Sequence, residues 1–112
     1  MKKEIINKFL LYFPKFKNEV EDIINDHNDI HLHLVFGDIF NPYLSELLND
    51  PRNNQAELLK ASELIEYMSN SDIYVQEVVS VTILERLSDE QEKFSTFRQI
   101  AGKQTQQFMD EI

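Results

Sequence analysis

The chain has 112 residues, 42% hydrophobic and 11% aromatic, which suits one domain with a modest core. Its formal net charge of −9 argues against binding to nucleic-acid phosphates or anionic membranes, and the lack of cysteine excludes disulfides and thiolate chemistry. Two glycines and three prolines are too few turn-forming residues for an all-β protein.

Apolar residues recur at helical spacing in six segments, which predict an all-α fold of five or six helices. The segments are 3–13, 14–27, 30–48, 54–68, 73–87 and 89–110, and we take residues 1–112 as a single domain. Pro14 suits the first turn of the second segment, and Asn28 with Asp29 marks its end. Short connections between the segments favour antiparallel helical hairpins.

Three places along these segments are less regular. Asn41 and Pro42 lie within the third segment, where we expect a kink or a new helix with Asn41 as its N-cap. The fifth segment is rich in β-branched residues, but its 15 residues exceed the usual strand length and favour a helix. Ser88 and Gln91 have the spacing of a capping box that would begin the sixth helix, and Gly102 lies inside that helix.

An internal echo relates the two halves of the chain at an offset of 43 residues. It pairs Asp29-Ile30 with Asp72-Ile73, Val35-Phe36 with Val78-Val79, and Leu44-Ser45 with Leu87-Ser88. HEAT-type helical repeats have periods of about 40–47 residues. Two interpretations stay open: HEAT-like right-handed stacking, or amphipathic helices that only share apolar positions.

Charge is unevenly distributed along the sequence. Residues 18–92 hold 17 acidic and three basic residues, a local balance of −14, whereas residues 1–17 have a balance of +4. No lysine or arginine occurs between Asn18 and Pro51. Six carboxylates of this region form a candidate partner-binding surface, which we call the acidic face: Glu19, Asp22, Asp26, Asp29, Asp38 and Glu46. Such a surface attracts a basic protein and accelerates its association at low salt.

His27, His31 and His33 are the candidate metal ligands. With a spacing of four, His27 and His31 would share one side of a continuous helix, as zinc or nickel ligands do. Because Asn28 and Asp29 interrupt that helix, the alternative is a set of histidines that lines the edge of the core at a helix junction. A metal-binding protein or enzyme built on this cluster is therefore an alternative function, and we predict no resident cofactor.

The sequence contains no recognisable catalytic motif. Its carboxylates lie on polar helix faces, which is typical of solvated surfaces rather than of paired acid–base groups in a cleft. The lysines of residues 1–17 alternate with aromatic residues, which we interpret as a solvated lysine face over a packed aromatic stripe. We predict a non-catalytic cytoplasmic protein that binds neither nucleic acid nor membranes, with a structural homodimer without ligand as a further alternative.

The stretches ELIEYMSNSDIYVQEVVSVTILERLSDE and RQIAGKQTQQFMDEI, with the opening YFPKF, resemble a family of small uncharacterised acidic bacterial proteins. The matching residues are Glu66, Asp72, Val75, Val78, Leu84, Glu85, Leu87, Gly102, Thr105 and Phe108. The resemblance implies an all-helical fold in which Gly102 and Thr105 let the last helix approach closely. In size and acidity the family is similar to immunity proteins, which implies occlusion of a basic toxin. Phe108 stands where the family often has tryptophan.

Overall fold

Seven helices make up the chain, all 112 residues of which are described by this computed structural model. They are α1 (Lys2–Tyr12), α2 (Lys17–His27), α3 (32–47), α4 (Gln55–Ser69), α5 (73–87), α6 (Gln91–Arg98) and α7 (Lys103–Asp110). A 3-10 turn, Pro14–Phe16, joins α1 to α2. The all-α prediction is confirmed. None of the seven helices is long and apolar enough to cross a membrane.

Helices α3 and α5 each widen into a π-helical segment, Phe36–Phe40 in α3 and Val78–Leu84 in α5, and these segments pack against each other. A π segment replaces i→i+4 backbone bonds with i→i+5 bonds, so it absorbs one extra residue. In α3 the widening precedes Pro42, which has no N–H to donate. In α5 it coincides with the β-branched run, whose side chains crowd a regular helix.

Asn41 joins the two widened helices and does not begin a new one. Its backbone is helical, with φ −59° and ψ −48°, whereas an N-cap residue has non-helical backbone angles. The prediction of a new helix with Asn41 as its N-cap is therefore wrong. Instead, Asn41 Nδ2 donates a hydrogen bond of 2.6 Å to the carbonyl oxygen of Thr82. A backbone acceptor within the π segment of α5 is thereby satisfied from the neighbouring helix.

The core is one cluster of 26 buried apolar residues. Phe9 of α1 lies near its centre and is completely buried. The ring centroid of Phe9 is 5.2 Å from that of Phe36 and 5.8 Å from those of Phe16 and Phe40, and it is 6.1 Å from that of Phe13. Aromatic pairs at these separations stabilise the fold beyond their buried area. The cluster fixes α1 against α3.

The fifth predicted segment is a helix in spite of its β-branched run. It starts directly after Asp72, whose Oδ1 accepts the backbone N–H of Val75 at 2.9 Å as an N-cap. Val75, Val78 and Val79 are fully buried within the core. Packing between neighbouring helices therefore offsets the low helix propensity of valine at these positions.

The prediction of one sixth helix over 89–110 is wrong, because α6 and α7 are separate and residues 99–102 turn between them. The capping box does not form either. Ser88 keeps a helical backbone at the end of α5, and its hydroxyl donates to the carbonyl of Glu85 at 2.5 Å instead of reaching α6. Gly102 has extended backbone at the start of α7, with φ −71° and ψ 171°, rather than lying inside a helix.

Candidate binding surfaces

All six carboxylates of the acidic face are exposed, and none forms an ion pair. The three ion pairs of the chain lie elsewhere and join Glu57 to Lys60, Glu90 to Lys93, and Asp110 to Arg98. The acidic face is therefore not neutralised by the chain itself.

Two neighbouring helices present these carboxylates. Glu19, Asp22 and Asp26 follow one another on α2 at spacings of three and four, which places them along one side of the helix. Val20 is the only buried residue of α2, so most of this helix faces solvent. Helix α2 packs on the first turn of α3. Asp38 and Glu46 lie further along α3. Asp29, in the turn after α2, accepts the backbone N–H of Ile30 at 2.7 Å.

The structure brings two of the three histidines together. The rings of His27 and His31 lie edge to face with centroids 5.4 Å apart, and both side chains are exposed. His33 lies apart from them, with Nδ1 2.5 Å from Thr82 Oγ1 and its ring edge-on to Tyr74. No group of three or more His, Asp or Glu side chains is arranged to hold a metal ion. His33 therefore packs between α3 and α5 and does not join His27 and His31 as a third metal ligand.

Glutamates and tyrosines connect α1 to α4 along a seam that we did not predict. Tyr12 Oη donates to Glu63 at 3.2 Å, and Tyr67 Oη donates to Glu4, so each helix supplies one donor and one acceptor. Between them lies Lys8, with Nζ 4.8 Å from the ring centroid of Tyr67 and 5.7 Å from that of Tyr12. The seam residues are spaced four apart in each helix: Glu4, Lys8 and Tyr12 in α1, and Glu63 and Tyr67 in α4. This spacing was the only sequence signal of the seam.

A groove of about 650 Å³ lies along this seam and extends to the connection between α6 and α7. Tyr12, Tyr67 and Glu63 contribute to one part of it, and the partly exposed Ile100 contributes to another. Its lining combines aromatic rings, an aliphatic side chain, the Lys8 ammonium and the two carboxylates Glu63 and Glu66. Clefts of this size and mixed chemistry are typical of ligand sites.

Glu66 holds the start of α7 against α4, in a contact that we call the Glu66 clasp. Its Oε1 accepts the backbone N–H of Thr105 at 2.9 Å and the Thr105 hydroxyl at 2.8 Å. Its Oε2 accepts the N–H of Gln104 at 3.1 Å and the side-chain amide of Asn70 at 3.2 Å. The N-cap residue Gly102 has no side chain, so a glutamate from another helix caps α7.

The Glu66 clasp also changes the ionisation of its carboxyl group. Burial alone would raise the pKa of Glu66, but the hydrogen bonds from Thr105, Gln104 and Asn70 outweigh burial and lower it. The carboxylate is therefore the form that the folded chain stabilises.

The close approach of the last helix at Gly102 and Thr105, which the family resemblance implies, is confirmed by these contacts.

A second lysine–tyrosine–glutamate group lies near the start of α4. Tyr43 Oη donates to Glu57 at 3.1 Å, and Lys15 Nζ lies 4.2 Å from the Tyr43 ring centroid. Burial, together with the negative charges of Glu57 and Glu46, raises the pKa of Tyr43 to about 12. Lys15 is exposed and lies over the Phe16 ring, as predicted for a solvated lysine face over an aromatic stripe, whereas Lys8 is only partly exposed and lines the groove.

We expect the raised pKa of Tyr43 to appear in an alkaline titration followed by tyrosinate absorbance. One of the four tyrosines of the folded protein should ionise near pH 12, and this step should be missing in Tyr43→Phe. Because the unfolded chain loses this proton near pH 10, the free energy of unfolding should fall as the pH rises from about 10 to 12. Ionisation of all four tyrosines together near pH 10 in the folded protein would contradict this expectation.

These features define a small all-helical protein with an unneutralised acidic surface and a groove lined by tyrosine rings and carboxylates. Residues 6–112 match a family described as a domain of unknown function (DUF7674), and the chain belongs to that family. No curated protein and no solved structure matches the chain. The predicted membership of an uncharacterised family is confirmed, whereas its bacterial origin and its likeness to immunity proteins stay predictions.

Proposed function

We propose that this protein is a non-catalytic binding module whose acidic face binds a basic protein. The observation that carries the proposal is that all six carboxylates are exposed and none has a cationic partner in the chain. Elsewhere, carboxylates serve the fold itself: Glu57, Glu63, Glu66, Glu90 and Asp110 accept hydrogen bonds or form ion pairs. A cationic surface on a partner would relieve the mutual repulsion of the six carboxylates of the acidic face.

The finer form of this proposal is an immunity-type protein of the bacterial cytoplasm. The partner would be a basic toxin, and binding would block it sterically rather than chemically. The small size of the chain, its net charge of −9 and the family resemblance support this form. Electrostatic steering would make association rapid at low salt and slow it markedly as ionic strength rises.

We also propose HEAT-like right-handed stacking for the two helical halves. The support comes from the offset of 43 residues, which relates Phe36–Phe40 of α3 to residues within Val78–Leu84 of α5. Both segments are π-helical and they pack against each other. A shared irregularity at equivalent positions favours a repeat over a chance coincidence of apolar residues.

The test compares two variants that lose the same charge. The first neutralises four of the six carboxylates of the acidic face, with Glu19→Gln, Asp22→Asn, Asp26→Asn and Glu46→Gln. The control neutralises four exposed carboxylates outside the face, with Glu77→Gln, Glu85→Gln, Asp89→Asn and Glu92→Gln. A basic protein captured from the lysate of the source cell at low salt serves as the probe, and its association rate with each variant is measured over a range of salt concentrations.

We expect the acidic-face variant to slow association at low salt by about tenfold or more, because steering raises on-rates by this order. Its rate should also depend less on salt than that of the unmodified protein. The control should stay within about twofold of the unmodified protein, since the overall charge falls but the local field at the face remains. Equal slowing by both variants, or a rate that does not respond to salt, would refute the proposed function.

A further inference from the structure

The groove between α1, α4 and the α6–α7 connection already contains a cation, the ammonium group of Lys8. Its Nζ lies over the rings of Tyr67 and Tyr12, at distances that give cation–π attraction. Lys8 has no carboxylate partner within ion-pair distance. The aromatic rings are therefore its direct contacts, and the ammonium is attached only through a flexible stem.

Unused acceptors flank the same rings. Glu63 bonds to Tyr12 through Oε2, and Glu4 bonds to Tyr67 through Oε1, so each glutamate has a second oxygen without a partner in the protein. Both glutamates are exposed. By contrast, both oxygens of Glu66 are used to hold α7. Two ring faces with free carboxylate oxygens beside them form a site for an ammonium or guanidinium group.

The groove has room for more than the Lys8 head group. Its volume of about 650 Å³ lies within the range of ligand sites, and it continues past the tyrosines to Ile100, which is 40% exposed. An aliphatic surface beyond the rings suits the methylene stem of a long basic side chain, which packs on apolar surface while its head stays polar.

We propose that this groove receives a basic side chain of a polypeptide partner, and that Lys8 occupies its cation site until the partner binds. The inference rests on the proposed function, because it assigns an anchor point to the same kind of basic partner. The incoming ammonium contacts the faces of Tyr67 and Tyr12 and the free oxygen of Glu63. Lys8 then moves into solvent, which its unbranched stem allows.

The test is an NMR titration of the full chain with the blocked tripeptide acetyl-Gly-Lys-Gly-amide. We expect shifts of the Tyr12 and Tyr67 ring signals at about 30–200 mM peptide, because a cation–π site that contributes about 1–2 kcal/mol corresponds to a Kd in this range. Tyr43 and Tyr74 are internal controls, since each also lies beneath a lysine but neither lines the groove. An analogue with norleucine in place of lysine keeps the four-carbon stem without the ammonium group and should leave all four signals unchanged.

Lys8→Met provides the decisive variant, because it removes the resident cation and keeps an apolar stem of similar length. Release of a competitor worth about 1 kcal/mol should tighten peptide binding by about fivefold. Tyr67→Leu should abolish the shift of Tyr12, whereas the matched variant Tyr74→Leu should preserve it. Circular dichroism confirms that each variant is folded.

Other outcomes would overturn the inference. Equal shifts of all four tyrosines, or an affinity that does not change in Lys8→Met, would show that the peptide binds the negative surface without using the groove. This failure can be told apart from failure of the proposed function. Peptide shifts confined to the acidic face would leave the proposed function intact, whereas groove binding combined with equal rates for the two charge variants would refute that function alone.

Discussion

Replacing Phe9 with alanine is expected to lower the free energy of unfolding by about 3–5 kcal/mol. Phe9 is completely buried, and its ring contacts those of four other phenylalanines: Phe13 directly after α1, Phe16 of the 3-10 turn, and Phe36 and Phe40 of α3. Truncation removes the buried ring and leaves a cavity that the helices on either side cannot close. Since a domain of this size is stable by about 5–15 kcal/mol, Phe9→Ala should lie near the limit of folding.

Urea denaturation followed by circular dichroism measures this loss, with Leu11→Ala as the control. Leu11 lies on the same helix, two residues further on, but is 74% exposed. Its truncation should therefore change the free energy of unfolding by no more than about 0.5 kcal/mol. Similar losses in the two variants would show that α1 is not held in place by the aromatic cluster.

Breaking the Glu66 clasp is expected to have the second largest effect. Glu66→Ala removes the acceptor of two backbone N–H groups and one hydroxyl at the start of α7, which should destabilise the protein by about 2–4 kcal/mol. Gly102→Ala should act on the same contact, because its Cβ would lie 2.4 Å from Cδ and Oε1 of Glu66. The backbone of Gly102 is ordinary, so space alone, not strain, requires glycine there.

Gly37→Ala is the matched control for Gly102→Ala. A Cβ on Gly37 would come within 2.8 Å of Arg86 Nη1, the mobile end of an exposed side chain that can move away. Because alanine also favours helix over glycine, we expect this variant to be neutral or slightly stabilising. Hydrogen exchange of the α7 amides and thermal unfolding compare the three variants. Equal stability of Gly102→Ala and Gly37→Ala would refute the proposed role of Glu66.

The Glu66 clasp also predicts how the free energy of unfolding changes at acidic pH. The folded pKa of Glu66 is lowered, so the folded chain binds this proton less readily than the unfolded chain does. The stabilisation is therefore present above the unfolded pKa of about 4.3 and is lost as the pH falls through the lower folded value. Glu66→Gln should remove this part of the acid dependence, as urea denaturation at pH values between about 3 and 6 will measure.

The residues behind the family resemblance have structural roles in this fold. Glu66, Gly102 and Thr105 meet in the Glu66 clasp, and Asp72 caps α5. None of them belongs to the acidic face. The groove and the clasp are adjacent, since Glu66 and Gly102 also line the groove.

Local sequence patterns were sufficient for the helices themselves. Apolar residues at helical spacing, together with Pro14 and the turn at Asn28, predicted the helices through α5 to within a few residues. Polar helix faces likewise predicted that the six carboxylates of the acidic face are exposed, but the same argument was wrong for Glu66, which is partly buried in the clasp. These features depend on neighbours within one or two turns, so they can be read without knowing the rest of the fold. Whether the acidic face binds a partner stays a prediction.

Only the tertiary structure decided the features that join distant residues. Tyr12 meets Glu63 across 51 positions of sequence, and Glu66 meets Thr105 across 39, and no local pattern specifies such pairs. The same contacts account for the failed prediction of a single last helix, since a capping acceptor on α4 favours a new helix start at Gly102. Periodicity and capping thus determined which residues form helices, whereas packing between helices determined where α7 begins, where α3 and α5 widen, and where the groove lies.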